Sequence, residues 1–179
     1  CSSSQSFTID ADLDGDTDGT SINIYPAIFC TSTDDCKVVY MDNYDDAAPD
    51  AVFYDCDDAD GAGDNIPCDD GATATVTDTD IGGTTTLSYF DIYCVSSTEC
   101  AYVFFEDNDD GIMFVDCETD ECATASDTVT EIVDIGTGKP SPVSIYCNSV
   151  TTCKVVAHDV DAGDLVFVNC ADGANATAD

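Results

Sequence analysis

The densest chemistry in the chain lies near its start. Asp10-Ala11-Asp12-Leu13-Asp14-Gly15-Asp16-Thr17-Asp18-Gly19 sets carboxylates at alternate positions, with Gly15 inside the run. The pattern D-x-D-x-D-G offers oxygen ligands to a hard cation, and the glycine permits the sharp turn such a loop needs. Ser21 stands where an EF-hand would place its bidentate Glu, and no flanking helical pattern is present. The segment therefore resembles a Ca²⁺ loop of β-rich extracellular proteins, with Asp10, Asp12, Asp14, Asp16 and Asp18 as candidate ligands. The plainer reading is a solvated acidic loop, because Asp and Glu number 38 in this chain. Two shorter acidic stretches, Asp107–Asp110 and Asp159–Asp164, are accounted for by turn chemistry.

Other candidates for chemistry are few. His158 is the only histidine, so any Ser-His-Asp or Cys-His arrangement has to use it. It aligns with Met41 and Phe105 in the internal repeats described below, a packing slot. Paired carboxylates for glycoside hydrolysis can be drawn anywhere in so acidic a chain and single out no pair. No Gly-rich phosphate loop is present. The expectation is a protein that is not an enzyme, with no catalytic residue assigned. Asn175-Ala176-Thr177 is an N-glycosylation sequon, which makes Asn175 a candidate modification site and glycans possible partners.

Charge excludes several functions. The chain has 179 residues, with 3 Lys and Arg against 38 Asp and Glu, so its formal charge is 3 − 38 = −35. The cations are Lys37, Lys139 and Lys154. Nucleic-acid binding and anionic membrane surfaces are excluded, because both need a basic patch. No apolar run approaches the ~20 residues of a membrane helix, so no membrane insertion is expected. Disorder is excluded too, since 44% of residues are hydrophobic and eight Tyr and eight Phe supply core material.

Twelve cysteines point to an oxidising compartment, extracellular or at the cell surface. No C-x-x-C occurs, and the even count fits disulfides. The chain opens at Cys1 without a basic-then-apolar leader, which suggests a removed secretion signal. Cys1-Ser2-Ser3-Ser4 also resembles the start of a bacterial lipoprotein. Against that, Cys1 aligns with Cys68 and Cys122, and lipidation would leave an odd number of cysteines.

The cysteines mark three tandem units of roughly 55 residues: 1–67, 68–121 and 122–179. Cys30 and Cys36, Cys94 and Cys100, and Cys147 and Cys153 share a spacing of six. Ile28-Phe29-Cys30 matches Ile92-Tyr93-Cys94 and Ile145-Tyr146-Cys147. Cys36-Lys37-Val38-Val39 matches Cys153-Lys154-Val155-Val156, with Cys100-Ala101-Tyr102-Val103 more divergent. Phe53-Tyr54-Asp55-Cys56 matches Phe114-Val115-Asp116-Cys117 and Phe167-Val168-Asn169-Cys170.

Each unit reads as four short strands, rich in β-branched and aromatic residues and separated by Asp, Gly, Ser and Thr. The first lies at Thr73–Asp78 and Thr128–Val133, with Phe7-Thr8-Ile9 as its counterpart in unit one. The second ends at the Ile-aromatic-Cys triplet. The third runs from the next cysteine to Asp42, Glu106 or Asp159, and the fourth ends at the last cysteine of the unit. Hairpin stems bring the six-spaced cysteines face to face, so Cys30–Cys36, Cys94–Cys100 and Cys147–Cys153 are expected to bridge the turn.

The unit Ser144-Ile145-Tyr146-Cys147 through Gly163-Asp164-Leu165 to Cys170 resembles a blade repeat of secreted bacterial β-propeller-type proteins. The resemblance implies an all-β fold of three four-stranded, disulfide-stapled, propeller-blade-like repeats, and no particular chemistry. Such repeats often continue with four residues and a second cysteine, as Cys117 to Cys122 does here. Cys117–Cys122 and the looser Cys56–Cys68 are then expected to link neighbouring units. Three blades are too few for a closed propeller, which takes four to eight. Cys1 and Cys170 are left over, and the expectation is that they pair between chains. The expected function is an extracellular structural repeat protein. Its copies join head to tail into a filament or surface assembly, completed by strand exchange between subunits. The alternative is a secreted, Ca²⁺-dependent module that binds a glycan or a protein.

Overall fold

The structure is a computed structural model. It describes residues 25–32, 35–42, 50–57, 73–78, 89–106, 111–117, 128–135, 142–149, 151–159, 161–171 and 177–178. These residues are all-β. In chain order the strands are β1 (Ala27–Cys30), β2 (Asp35–Asp42), β3 (Asp50–Asp57), β4 (Thr73–Asp78), β5 (Phe90–Cys94), β6 (Cys100–Glu106), β7 (Gly111–Cys117), β8 (Thr128–Asp134), β9 (Val143–Ser149), β10 (Thr152–Asp159), β11 (Asp164–Ala171) and β12 (Thr177–Ala178). They form three antiparallel sheets in the orders β1-β2-β3-β4, β5-β6-β7-β8 and β9-β10-β11-β12. No helix among the described residues is long and apolar enough to cross a membrane.

The strands begin and end close to where the cysteine landmarks predict. The third strands of the units end at Asp42, Glu106 and Asp159, as expected. The sheets, however, are offset from the sequence units. Thr73–Asp78 follows Cys68 in sequence but pairs with β3 of the first sheet. Thr128–Asp134 follows Cys122 but pairs with β7 of the second sheet. Each of these sheets is therefore completed by the strand that opens the next sequence unit.

Burial shows how the sheets stack. β6 is buried along its whole length and β7 nearly so. A strand that is apolar on both faces belongs between two layers. β9 and β10 instead alternate between buried and more exposed positions, the signature of one covered face. Two clusters confirm the order. Val39, Met41, Ala51 and Phe53 of the first sheet pack with Phe90, Ile92, Tyr102, Phe104 and Val115 of the second. Val103, Phe105, Ile112 and Phe114 on the other side of the second sheet pack with Ile145, Val155, Ala157 and Val168 of the third. A third cluster, with Val38, Tyr40 and Val52, lies on the far face of the first sheet, and no other described sheet contributes to it.

The first strands of the sheets lie side by side, β1 next to β5 and β5 next to β9. Aromatic rings line this seam. Tyr25 stacks on Tyr89 at 4.6 Å, Phe29 meets Tyr93 at 4.9 Å, and Tyr93 meets Tyr146 edge-on at 5.0 Å. Asp91 clamps the second sheet to the third. Its Oδ2 accepts hydrogen bonds from Ser144 Oγ and from the Ile145 N–H, both at 2.8 Å.

Candidate functional site

Three cysteines form a row across the same end of every sheet. In the first, Cys30 lies opposite Cys36 and Cys36 opposite Cys56. Cys94, Cys100 and Cys117 repeat this in the second sheet, and Cys147, Cys153 and Cys170 in the third. Directly opposed residues on antiparallel strands are close enough for a disulfide. Cys30–Cys36, Cys94–Cys100 and Cys147–Cys153 are bonded, each with a Cα–Cα distance of 4.0 Å. Their presence points to an oxidising, extracellular setting.

The third cysteine of the row distinguishes the sheets. Cys56 and Cys117 are also disulfide-bonded. Cys68 and Cys122, their expected partners, lie outside the described residues, as does Cys1. Cys170 carries a free thiol, the one free cysteine among the described residues, and is only 7% exposed. Burial pushes its pKa up to about 11, against a smaller lowering by the charge of Lys154. Burial therefore keeps the thiol protonated at neutral pH.

The neighbouring strand slot follows the same division. β4 covers β3 from Ala51 to Asp55, and β8 covers β7 from Gly111 to Asp116. In the third sheet, among the described residues, the corresponding edge of β11 is met by β12 at Val168 and Asn169. The segment expected to add to this edge, Phe7–Ile9, lies outside the described residues. Among the described residues, β12 pairs with Val168 and Asn169, and no described strand pairs with Leu165, Val166 or Phe167 on that edge.

Beside each cysteine row sits a second row that sequence reasoning missed. Lys37 is directly opposite Asp55, Ala101 opposite Asp116, and Lys154 opposite Asn169. Lys37 is 2% exposed. Its Nζ donates to Asp55 Oδ1 and lies 2.9 Å from Asp35 Oδ1. Burial alone would lower the lysine pKa. The hydrogen bonds and charges of Asp35 and Asp55 outweigh it and hold the value above the ordinary one. Lys154 donates to Asn169 Oδ1 and lies 5.7 Å over the Phe167 ring. The signal was a lysine just after one cysteine and Asp or Asn just before another, repeated in units one and three.

The other candidates divide between the described residues and the rest. Asp10, Asp12, Asp14, Asp16, Asp18 and Asn175 lie outside the described residues, as does the Asp107–Asp110 turn. Among the described residues no group of three His, Cys, Asp or Glu is placed to hold a metal. The Asp159–Asp164 stretch is a turn. Asp159 Oδ1 accepts from the N–H groups of Asp161 and Ala162, and the Gly163 N–H donates to the Asp159 carbonyl at 2.8 Å. Gly163 has φ of 76°, the left-handed conformation that glycine tolerates. His158 is half-buried on β10, directly opposite Leu165. Comparison of the chain with protein-family models, with curated proteins and with solved structures finds no match.

Proposed function

We propose that the protein is an extracellular structural subunit whose copies join head to tail, each completing the last sheet of its neighbour. One observation carries this reading. Among the described residues, the first two sheets each have a bonded third cysteine and a fourth strand of six or seven residues, whereas the third sheet has a free buried thiol and a fourth strand of two residues. Phe7–Ile9 is the sequence counterpart of β4 and β8, and Cys1 is the counterpart of Cys68 and Cys122. Supplied by a neighbour, they would fill the open slot. Strand addition satisfies an exposed edge by backbone hydrogen bonds. A covalent Cys170–Cys1 link would hold together subunits that each carry −35. The sheets act as blade-like units of an open array, and a contact joining unlike surfaces propagates when its rotation does not close. In this reading Ca²⁺ at Asp10–Asp18 relieves the repulsion around the joining segment.

Electrophoresis of native material without reductant tests the proposal. A ladder that collapses to monomer on reduction, and that Cys170→Ser abolishes, is the expected result. A monomer band in both conditions, with Cys1 and Cys170 joined inside one chain, refutes it.

A further inference from the structure

We infer that the outward face of the third sheet binds the first sheet of a second copy, so that sheets stack without a break from one subunit to the next. This rests on the head-to-tail reading and adds a second contact to it. The face is the one opposite Ile145, Val155 and Val168. By strand alternation it carries Tyr146, Lys154, Val156, Leu165 and Phe167. Four of these are large apolar side chains exposed to solvent: Tyr146 at 54%, Val156 at 38%, Leu165 at 75% and Phe167 at 42%. Apolar side chains clustered on one sheet face in this way mark an interaction surface.

The repeat register says what covers it. The same face of the first sheet, with Val39 and Phe53, buries the second sheet. The same face of the second, with Val103 and Phe114, buries the third. The occupant that continues the series is a first sheet, presenting the side that carries Val38, Tyr40 and Val52. Val38, Tyr40 and Val52 are buried in the single chain and no other described sheet contributes to their cluster, so docking has to expose them to the neighbour's third sheet. The aromatic seam continues in the same sense. Phe29 meets Tyr93 and Tyr93 meets Tyr146, leaving Tyr146 to receive the neighbour's Phe29.

Charge supports an acidic occupant. The inner faces of the first two sheets carry Asp35, Asp55, Asp91 and Asp116. The aligned positions in the third sheet are Thr152, Asn169 and Ser144. No outward position of β9, β10 or β11 holds a carboxylate, although the chain has 38. Lys154 and His158 lie on this face instead. Lys154 is held by a neutral Asn169, where Lys37 has two aspartates. A face cleared of negative charge suits a second copy of a chain at −35.

The test combines hydroxyl-radical footprinting with Tyr146→Asp and Phe167→Asp. Tyr146 also meets Tyr93, and Phe167 lies under Lys154, so the melting temperature of each variant monomer is measured beside its association, and an association loss that exceeds any loss of monomer stability is the readout. In assembled wild-type material, oxidation of Tyr146, Leu165 and Phe167 should fall severalfold relative to monomer. Each variant should weaken association roughly thirtyfold, the loss typical of an aromatic anchor. A disulfide ladder in which these side chains oxidise as fast as in monomer overturns the inference and leaves the strand-exchange reading standing. Protected side chains in an assembly without the Cys170–Cys1 bond do the reverse. Symmetric dimers as the end product, or monomers at every concentration, overturn the inference.

Discussion

Removing the Lys37 ammonium should cost far more than removing a surface charge. Lys37 lies between the first and second sheets, with side-chain exposure of 3%, against 8% for Asp55 and 16% for Asp35. Lys37→Met fills much of the same volume and leaves two carboxylates without their cation. Breaking a buried pair in this way costs about 3–5 kcal/mol, because the remaining charge stays desolvated. For a chain of this length that corresponds to a drop in melting temperature of roughly 6–20 °C. The pH dependence separates this cause from lost packing. In the parent, the raised Lys37 pKa means its stabilisation is fully present below the ordinary lysine value and is lost only as pH rises through the folded value. The variant has desolvated carboxylates without their cation, so it should regain stability as pH falls and they become protonated. Lys37→Met/Asp55→Leu, which removes both charges of the closest pair, should recover most of the loss. Thermal melts by circular dichroism from pH 7 to pH 4.5 read all three. A loss below about 1 kcal/mol for Lys37→Met, the scale of a solvated surface pair, would refute the reasoning, as would a variant whose deficit does not shrink in acid.

Four further outcomes are expected. Asp91→Ala removes the acceptor for Ser144 and Ile145 and should cost about 2–3 kcal/mol. Hydrogen exchange should then rise first in β9, and unchanged protection there would contradict the clamp. Gly163→Ala forces a side chain into a positive-φ position with open space around it, so the cost should be conformational only, about 1–2 kcal/mol in urea unfolding. In a Cys1→Ser chain, a Cys170 pKa of about 11 leaves roughly one thiol in a thousand ionised at pH 8. Alkylation should be hundreds of times slower than for a free cysteine peptide and climb with pH toward 11. Stability should decline over the same alkaline window, since the folded state holds this proton more tightly. Ca²⁺ should raise the melting temperature more than Na⁺ of matched ionic strength if Asp10–Asp18 bind it, because a ligand acts by mass action while salt only screens; equal shifts would remove the site.

Strand positions were legible because the cysteines punctuate them and because β-branched runs such as Lys37-Val38-Val39-Tyr40 have few alternatives to a strand. The six-spaced bridges followed from hairpin geometry alone. The offset between sheets and sequence units was legible only through the repeat phase, which sets Phe7–Ile9 as the added strand for Leu165–Val168. Thr73–Asp78 itself carries no mark of which neighbour it pairs with, since pairing is decided by backbone edges and not by side-chain type. The Lys37 ion pair was hidden for another reason. A lone lysine in an acidic chain reads as a surface charge, and its burial follows from the second sheet packing over it. The open face was likewise invisible in one dimension: Tyr146, Lys154 and Phe167 align with residues that are covered in the other sheets, and only stacking order separates the last sheet from the first two.

Stacking also explains why the cysteine rows are needed. A loop of six residues closed by a disulfide contributes only about 2 kcal/mol by chain entropy, a modest return for three bridges of the same kind. Their larger effect is on register. A strand with one covered face resists a one-residue slip, because slipping turns its apolar side chains out to water. β6 has no such protection. Ala101, Tyr102, Val103, Phe104 and Phe105 are all buried, so either parity would present an apolar face to each neighbour. Hydrophobic pattern alone leaves the middle sheet free to pair out of step. Cys94 opposite Cys100 removes that freedom, because a shift by one residue would carry one sulfur to the opposite face of the sheet. β9 and β10, with one face open in the single chain, alternate well enough to find register without help, yet they carry the same bond. The third sheet is thus built to the specification of a strand pair covered on both sides, which is the state the stacked assembly would give it.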